Sequence, residues 1–294
     1  MQLLLERNLS DVISVWINGD IMNQEIIDII KRALKEDMPT GDVTTDNLIP
    51  DGHKSKAYYI AKEDGVISGI EVAYEVFKQV GGDYELIFNV NDGDCVTNKQ
   101  VIGTVYGDTK TILKAERLSL NIMQRMSGIA TTTKKYTDEL VGNCKILDTR
   151  KTTPNMRILE KMAVLHGGGT NHRYCLSDMV MIKDNHIDAV GSITEAVKLA
   201  KAKTSGIKIE VEVEGIEQFK EALATECDII MLDNMSNELM AECVRLNNNQ
   251  KQLEASGNMC VERIKEVSSI GVDFISVGAL THSVKSLDIS LKFH

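Results

Sequence analysis

Six short apolar runs in the second half of the chain constrain its fold more than any other feature. They are KILD, MVMIK, IKIEVEV, DIIML, QLEA and DFISVG, and helical segments separate them. Strand, helix and strand repeated in this way predict parallel strands with right-handed crossovers, as an open sheet or as a barrel. The residues that close the runs are the informative part. In order they are Asp148 with Arg150 and Lys151, then Lys183, Glu212, Asp233, Glu254 with Ser256, and Ser276 with Gly278. In a (β/α) barrel such ends meet at one rim, where catalytic groups collect. One polar residue ending a strand means little; a succession of them points to a site.

The preceding segment has a different grammar. Residues 55–106 alternate apolar runs with Gly and Asp turns (AYYIA, GVISGI, YELIFNV, NDGD, VIGTVYG), which predicts several antiparallel strands. A buried helix is expected from residue 109 to about 126. Arg117, Asn121 and Gln124 share one of its faces, either as a solvent edge or to present an arginine to a site. Ile26, Ile27, Ile30, Ala33 and Leu34 recur at helical spacing. Residues 1–21 look detached from the rest of the chain and read as an extension or a misplaced start.

Charge and composition exclude several classes. The net charge is −10, the opposite of a nucleic-acid footprint. No apolar stretch is long enough for a membrane span, and the acidic start is unlike a secretory signal. Six scattered cysteines without a C-x-x-C pair fit a reducing, cytoplasmic setting. Against this anionic background, residues 145–186 hold seven Lys/Arg against four Asp/Glu and three of the six histidines. Such an island suits a small, highly charged anion.

Within that island, Thr153 and Pro154 predict a helix start, with the helix running to about residue 165 and the triplet 167–169 stopping it. Three consecutive glycines suggest close approach of the backbone to something, a ligand included. Arg117, Arg150, Lys151, His172, Arg173 and Lys183 together could neutralise an acidic metabolite plus a phosphorylated sugar, the arginine forks gripping carboxylates or phosphates. Glu210, Glu212 and Glu214 alternate along one strand and so share a face, which is tolerable opposite Mg²⁺ or lysines. Small residues after the last two strands, Ser256, Gly257, Gly278 and Ala279, expose backbone N–H groups suited to phosphate. The chain lacks the P-loop and Rossmann glycine patterns. Asp233-Asn234 lacks the second acid and the Thr-Gly turn of type I phosphoribosyltransferases.

Taken in order, GDVTT (41–45), ERLSLN (116–121), SGIATTT (127–133), DTRKTTP (148–154), GGGTNHR (167–173), IKDNH (182–186), EVEVE (210–214), LDN (232–234), EASG (254–257) and SVGALTHS (276–283) resemble the quinolinate phosphoribosyltransferases. The resemblance covers residue 22 to the end. It implies an α/β chain with an N-terminal α/β sandwich-like domain, 22–119 with 287–294, and a C-terminal incomplete (β/α) barrel of the type II phosphoribosyltransferase kind, 120–286. It further implies a homodimer or higher assembly with an active site shared between subunits. Arg117 would enter the partner's site, and Arg150, Lys151, His172, Arg173 and Lys183 would hold quinolinate. Glu212 and Asp233 would face the ribose and the Mg²⁺–pyrophosphate of phosphoribosyl pyrophosphate, with Lys151, Glu212 and Asp233 as the catalytic set. Ser256, Gly257, Gly278 and His282 would line the 5′-phosphate side. Asn258 departs from the family pattern, which has a second glycine there.

Two other readings compete. A paralogue of the same fold could act on nicotinate or serve molybdenum transport, but a diacid demands the larger set of cations present here. A non-catalytic sensor of a phosphorylated metabolite could dispense with Glu212 and Asp233, and the chain retains both.

Overall fold

The computed structural model describes residues 23–294, so the segment 1–21, read as an extension, lies outside the described residues. The chain forms two compact units. One comprises Lys135–Lys151 and Gly169–Ala279; the other comprises the described residues up to Lys134, then Thr152–Gly168 and Leu280–His294. The boundary expected at residues 119 and 120 falls inside one uninterrupted helix, Thr109–Thr137.

In the second of these units, β1 (Lys54–Ala61), β3 (Tyr84–Phe88), β5 (Val101–Asp108) and β12 (Ile289–Phe293) make an antiparallel sheet in the order β12-β1-β5-β3. A small ladder joins β2 (Gly65–Val66) to β4 (Cys95–Val96). Alternation along β1 buries Ala57, Tyr59 and Ala61, and the Tyr59 hydroxyl meets Ser119 Oγ at 2.8 Å, tying the sheet to the long helix. The first helix, Gln24–Asp37, buries Ile26, Ile29 and Ile30 on its inner stripe.

Three local expectations need correction. The region 55–106 is not all strand, because Ile70–Val80 is a helix burying Ile70, Val72, Ala73, Val76 and Phe77. Its β-branched residues resemble a strand, yet the buried set recurs every three or four residues. The long helix runs eleven residues past 126, to Thr137. Its SGIATTT stretch stays helical because Ile129, Ala130 and Thr133 are fully buried, although the Thr132 and Thr133 hydroxyls donate to the carbonyls of Gly128 and Ile129, each at 2.8 Å, a back-bonding that slightly weakens a helix. The helix after Pro154 spans Arg157–His166 and starts later than Thr153. Asn155 sits at φ +64°, a left-handed value that no helix can include.

The other unit contains a parallel sheet of six strands in the order β6-β11-β10-β9-β8-β7. These are β6 (Lys145–Leu147), β7 (Val180–Ile182), β8 (Ile209–Val213), β9 (Ile229–Asp233), β10 (Gln252–Ser256) and β11 (Phe274–Ser276). All six expected runs are strands. Helices Asp184–Val190, Ile193–Lys203, Ile216–Leu223, Asn237–Asn247 and Val261–Ile270 separate them. A further bridge joins Leu147 to Thr170, and the whole is an incomplete (β/α) barrel. Ile182, Val211, Val213, Ile230, Leu232, Leu253, Ala255 and Ile275 are buried on one face of the sheet. The opposite face carries the polar residues, because the register sets Met181 beside Glu210, Glu212 beside Met231, Met231 beside Glu254, and Asp233 beside Ser256. Among the described residues, no helix is long and apolar enough to cross a membrane.

Candidate active site

Parallel pairing sets the carboxyl ends of the strands along one edge, and the chemistry-bearing residues follow from it. Lys183 comes directly after β7, and its ammonium pairs with Oε2 of Glu212 on β8. Its backbone N–H donates to His186 Nδ1 at 3.0 Å, which fixes the start of the next helix. Of the three alternating acids, Glu210 is fully buried, Glu212 is half-buried, and Glu214 lies beyond β8, exposed, with its N–H on Gln218 Oε1. Only the first two belong to the polar interior.

The cations gather after β6 and in the loop that leads to β7. Asp148, fully buried, accepts the backbone N–H of His172 at 2.8 Å, so the two segments are pinned together. Arg173 reaches the carbonyl of Met179 with Nη1 at 3.1 Å and Met181 Sδ with Nη2 at 3.4 Å. Burial, and then the neighbouring Arg150 guanidinium, hold its pKa below the ordinary arginine value. The buried Nε of Arg150 has no hydrogen-bond partner. Two guanidiniums close enough to repel, one with an unsatisfied donor, are arranged for an anion rather than for each other. Lys151 is exposed, its backbone N–H bonded to Thr149 Oγ1 at 3.0 Å.

His172 stands apart from these. Its Nε2 lies 3.0 Å from Glu210 Oε2 and 3.3 Å from Glu254 Oε2, both acids fully buried. Burial opposes a charge on the ring, but the hydrogen bond to Glu210 and the charges of both carboxylates outweigh it and push the pKa up to about 10. Burial and the Glu254 charge raise the pKa of Glu210. The sequence pattern singled out all three positions but did not join them. The signal available was the period of two along β8, which puts Glu210 on the face of Glu212.

In the middle of the row, Asp233 closes β9 and accepts the side-chain N–H of Asn234 on Oδ2 at 2.7 Å. Asn234 has φ +53°, and its backbone N–H donates to the Ser256 carbonyl at 3.0 Å. Gly257 has φ +93°, and a Cβ there would stand 2.2 Å from Asn234 Oδ1, so only glycine fits. Asn258 adopts φ +49°, a conformation that asparagine tolerates better than other side chains. Its amide donates to Asn234 Oδ1 at 3.3 Å, while Arg263 Nη1 reaches its carbonyl at 3.2 Å. The departure from glycine at this position leaves the turn intact. Ser256 and Gly278 are half-buried at the ends of β10 and β11.

Arg117 and His282 belong to the other compact unit. Arg117 and Asn121 are exposed on the long helix. Gln124, expected to share their face, instead donates from Nε2 to the Ile289 carbonyl at 2.7 Å. His282 is exposed, with Nδ1 2.7 Å from Ser283 Oγ. The glycine triplet has a structural use at its first member. A Cβ on Gly167 would stand 2.4 Å from the Ala130 carbonyl, so the close approach there is to a helix and not to a ligand.

The chain is similar to known proteins over nearly its whole length. The family described as quinolinate phosphoribosyl transferase, N-terminal domain, matches residues 42–127, and the corresponding C-terminal domain matches residues 129–292. The Arabidopsis thaliana protein named nicotinate-nucleotide pyrophosphorylase (carboxylating), chloroplastic, is 46% identical over 284 residues, spanning 90% of this chain and 81% of that protein. The Nicotiana tabacum protein named quinolinate phosphoribosyltransferase (decarboxylating) 2b, mitochondrial, is 45% identical over 91% of this chain and 82% of its own length. The crystal structure of NadC from Streptococcus pyogenes superposes with a TM-score of 0.89 at 40% identity, covering 94% of this chain and 100% of that one.

Proposed function

The chain belongs to the quinolinate phosphoribosyltransferase family, and we propose on that premise that its strand-end residues carry out the family's reaction. The enzyme transfers the phosphoribosyl group of phosphoribosyl pyrophosphate to quinolinate with decarboxylation, giving nicotinate mononucleotide, pyrophosphate and carbon dioxide in NAD biosynthesis. The observation that carries the residue assignment is the pairing of opposites along one edge. Arg150, with its orphaned Nε, follows β6 and repels Arg173, which contacts β7, while the acids Glu212 and Asp233 stand on β8 and β9, the next strands after β7.

Arg150, Lys151, His172, Arg173 and Lys183 hold the two carboxylates of quinolinate and aim its ring nitrogen. Orientation of two anionic reactants is the main catalytic task, since the substrate supplies its own nucleophile. The nitrogen lone pair forms the bond to the ribose anomeric carbon as the bond to pyrophosphate breaks, its electron pair leaving with the pyrophosphate. Glu212 and Asp233 stabilise the positive charge that develops on the sugar. The ring is then cationic and accepts the electron pair of the carbon–carboxylate bond next to the nitrogen. Carbon dioxide departs, and a proton takes its place. Lys151 is the third member of the catalytic set, and Ser256, Gly257, Gly278 and His282 are assigned to the 5′-phosphate.

Glu212 and Asp233 offer the hard carboxylate oxygens that Mg²⁺ accepts, commonly one or two from protein with the rest from phosphate and water. Asn234 takes one oxygen of Asp233, and the other is available to a cation, so the residues fit the ion, directly or through water. When bound it would supply positive charge to the leaving pyrophosphate. The exposed Arg117 is assigned to the neighbouring subunit's site in a homodimer or higher assembly. A cytoplasmic location is supported by the free state of all six cysteines.

One assay tests the whole reading. The protein is given phosphoribosyl pyrophosphate and Mg²⁺ with either quinolinate or nicotinate, and mononucleotide and carbon dioxide are followed, with and without EDTA. Stoichiometric carbon dioxide from quinolinate, lost on chelation, is expected. Product from nicotinate without carbon dioxide would identify the paralogue, and binding without turnover the sensor.

A further inference from the structure

Glu210 and Glu254 have no part in the reaction as proposed, yet both are fully buried beside a residue that does. They come from β8 and β10, and between their carboxylates sits one imidazole nitrogen, 3.0 Å and 3.3 Å away. Glu210 Oε1 and both Glu254 oxygens lack a hydrogen-bond partner. Two carboxylates withdrawn from water in this way are strongly unfavourable unless a positive charge lies between them or one of them takes up a proton. Asp148 accepts the His172 backbone N–H at 2.8 Å, and the Arg173 guanidinium, next in sequence, lies within reach of the charges of Arg150 and Glu210.

We infer that Glu210 and Glu254 are positioning residues that hold His172, next to Arg173, as a fixed imidazolium, so that both ring nitrogens keep their protons and the ring never turns an acceptor lone pair toward a dicarboxylate. The acids serve both sides of this arrangement. They turn Nε2 inward, and their negative charge offsets the repulsion among cations gathered before any ligand arrives. The pKa of His172, pushed up to about 10 against its burial, agrees with this geometry. The inference rests on the reading of this site as the quinolinate site.

The test labels histidine with ¹⁵N and titrates the ligand-free, EDTA-treated full chain from acid to about pH 9.5, comparing it with Glu210→Gln and Glu254→Gln. The amide keeps the shape of the carboxylate and removes its charge. In the unaltered protein the His172 ring stays protonated throughout. In either variant it titrates near or below neutral pH, because burial then acts with less opposition. Calorimetry supplies the second readout. Quinolinate affinity is expected to vary less than about threefold between pH 6.5 and 8.5 in the unaltered protein, and to fall about tenfold over that range in the variants.

A neutral ring at pH 7.5 in the unaltered protein would overturn the inference. So would variants that lose affinity equally at both pH values with the ring still charged, the signature of a merely structural role. If the unaltered protein fails to bind quinolinate at all, the functional reading fails, and the titration alone decides whether the two acids hold the ring charged.

Discussion

A Cβ placed on Gly167 would stand 2.4 Å from the carbonyl oxygen of Ala130 and 2.6 Å from the Thr133 side chain. The turn that ends helix Arg157–His166 therefore rests directly on the backbone of the long helix. Gly167→Ala must push the two apart, and we expect a loss of about 1–3 kcal/mol, the usual cost of overpacking. Urea unfolding would show it as a lower midpoint at unchanged slope. An unchanged midpoint would mean that the turn and the helix separate without cost.

Glu160 holds the same segment through charge. It is fully buried, and Arg125 reaches its Oε1 with Nη2 at 2.7 Å and Nε at 3.1 Å, while the Thr153 N–H donates to its Oε2 at 3.1 Å. Glu160→Gln should destabilise by about 2 kcal/mol or more, below the upper range for buried pairs because the arginine is partly exposed. Thermal unfolding checks this; a variant as stable as the parent would show the pair to be incidental.

Arg150→Ala removes the orphaned donor at the diacid end of the site. One charge-assisted, forked contact is worth about 1.5–3 kcal/mol, so quinolinate affinity should fall at least about tenfold while circular dichroism stays unchanged. An unchanged Michaelis constant for quinolinate would remove Arg150 from the site.

Arg117→Ala and Lys151→Ala should each inactivate the enzyme, one from the exposed face of the long helix and one from the end of β6. If sites are shared between subunits, mixing the two inactive proteins under exchange conditions should restore up to about a quarter of the activity, as expected when randomly mixed dimers carry one intact site. Mixed assemblies that stay inactive would place both residues in one subunit's site.

Asn258 separates backbone shape from residue identity. At φ +49° it should accept glycine readily, and Asn258→Gly is expected to change the Michaelis constant for phosphoribosyl pyrophosphate less than about threefold. Asn258→Val would force a β-branched residue into the left-handed region at a cost of about 1–3 kcal/mol and should impair that constant and stability together. Equal behaviour of the two variants would show that the turn is not held in this conformation.

Legibility in the sequence followed periodicity and failed where tertiary contact decides. The parallel strands could be read because each is a short apolar run that ends on or next to a polar group, as the buried residues 229–232 followed by Asp233 illustrate. The helix Ile70–Val80 could not, since its valines and isoleucines favour strand until packing fixes them. The extension of the long helix past 126 depends on the burial of Ile129, Ala130 and Thr133, which no propensity records. The site was legible as a set of charges but not as a set of partners. His172 read as one more cation for a ligand, whereas its Nε2 faces Glu210 and Glu254 from strands 38 and 82 positions further on. The glycine triplet read only as a close approach, to a ligand or to the chain itself, because a missing Cβ says that something is near without saying what.

Strand β12 gives the sheet of the earlier unit its outermost member, with Tyr59 opposite Leu291 and Ala57 opposite Phe293. A ribosome making this chain must therefore reach Phe293 before that sheet can close, more than 230 residues after β1. Until then β1 presents an open edge and an uncovered row of amides to whatever is close by. During synthesis the earlier unit is the exposed partner, and a chaperone acting on the nascent chain would find its substrate there.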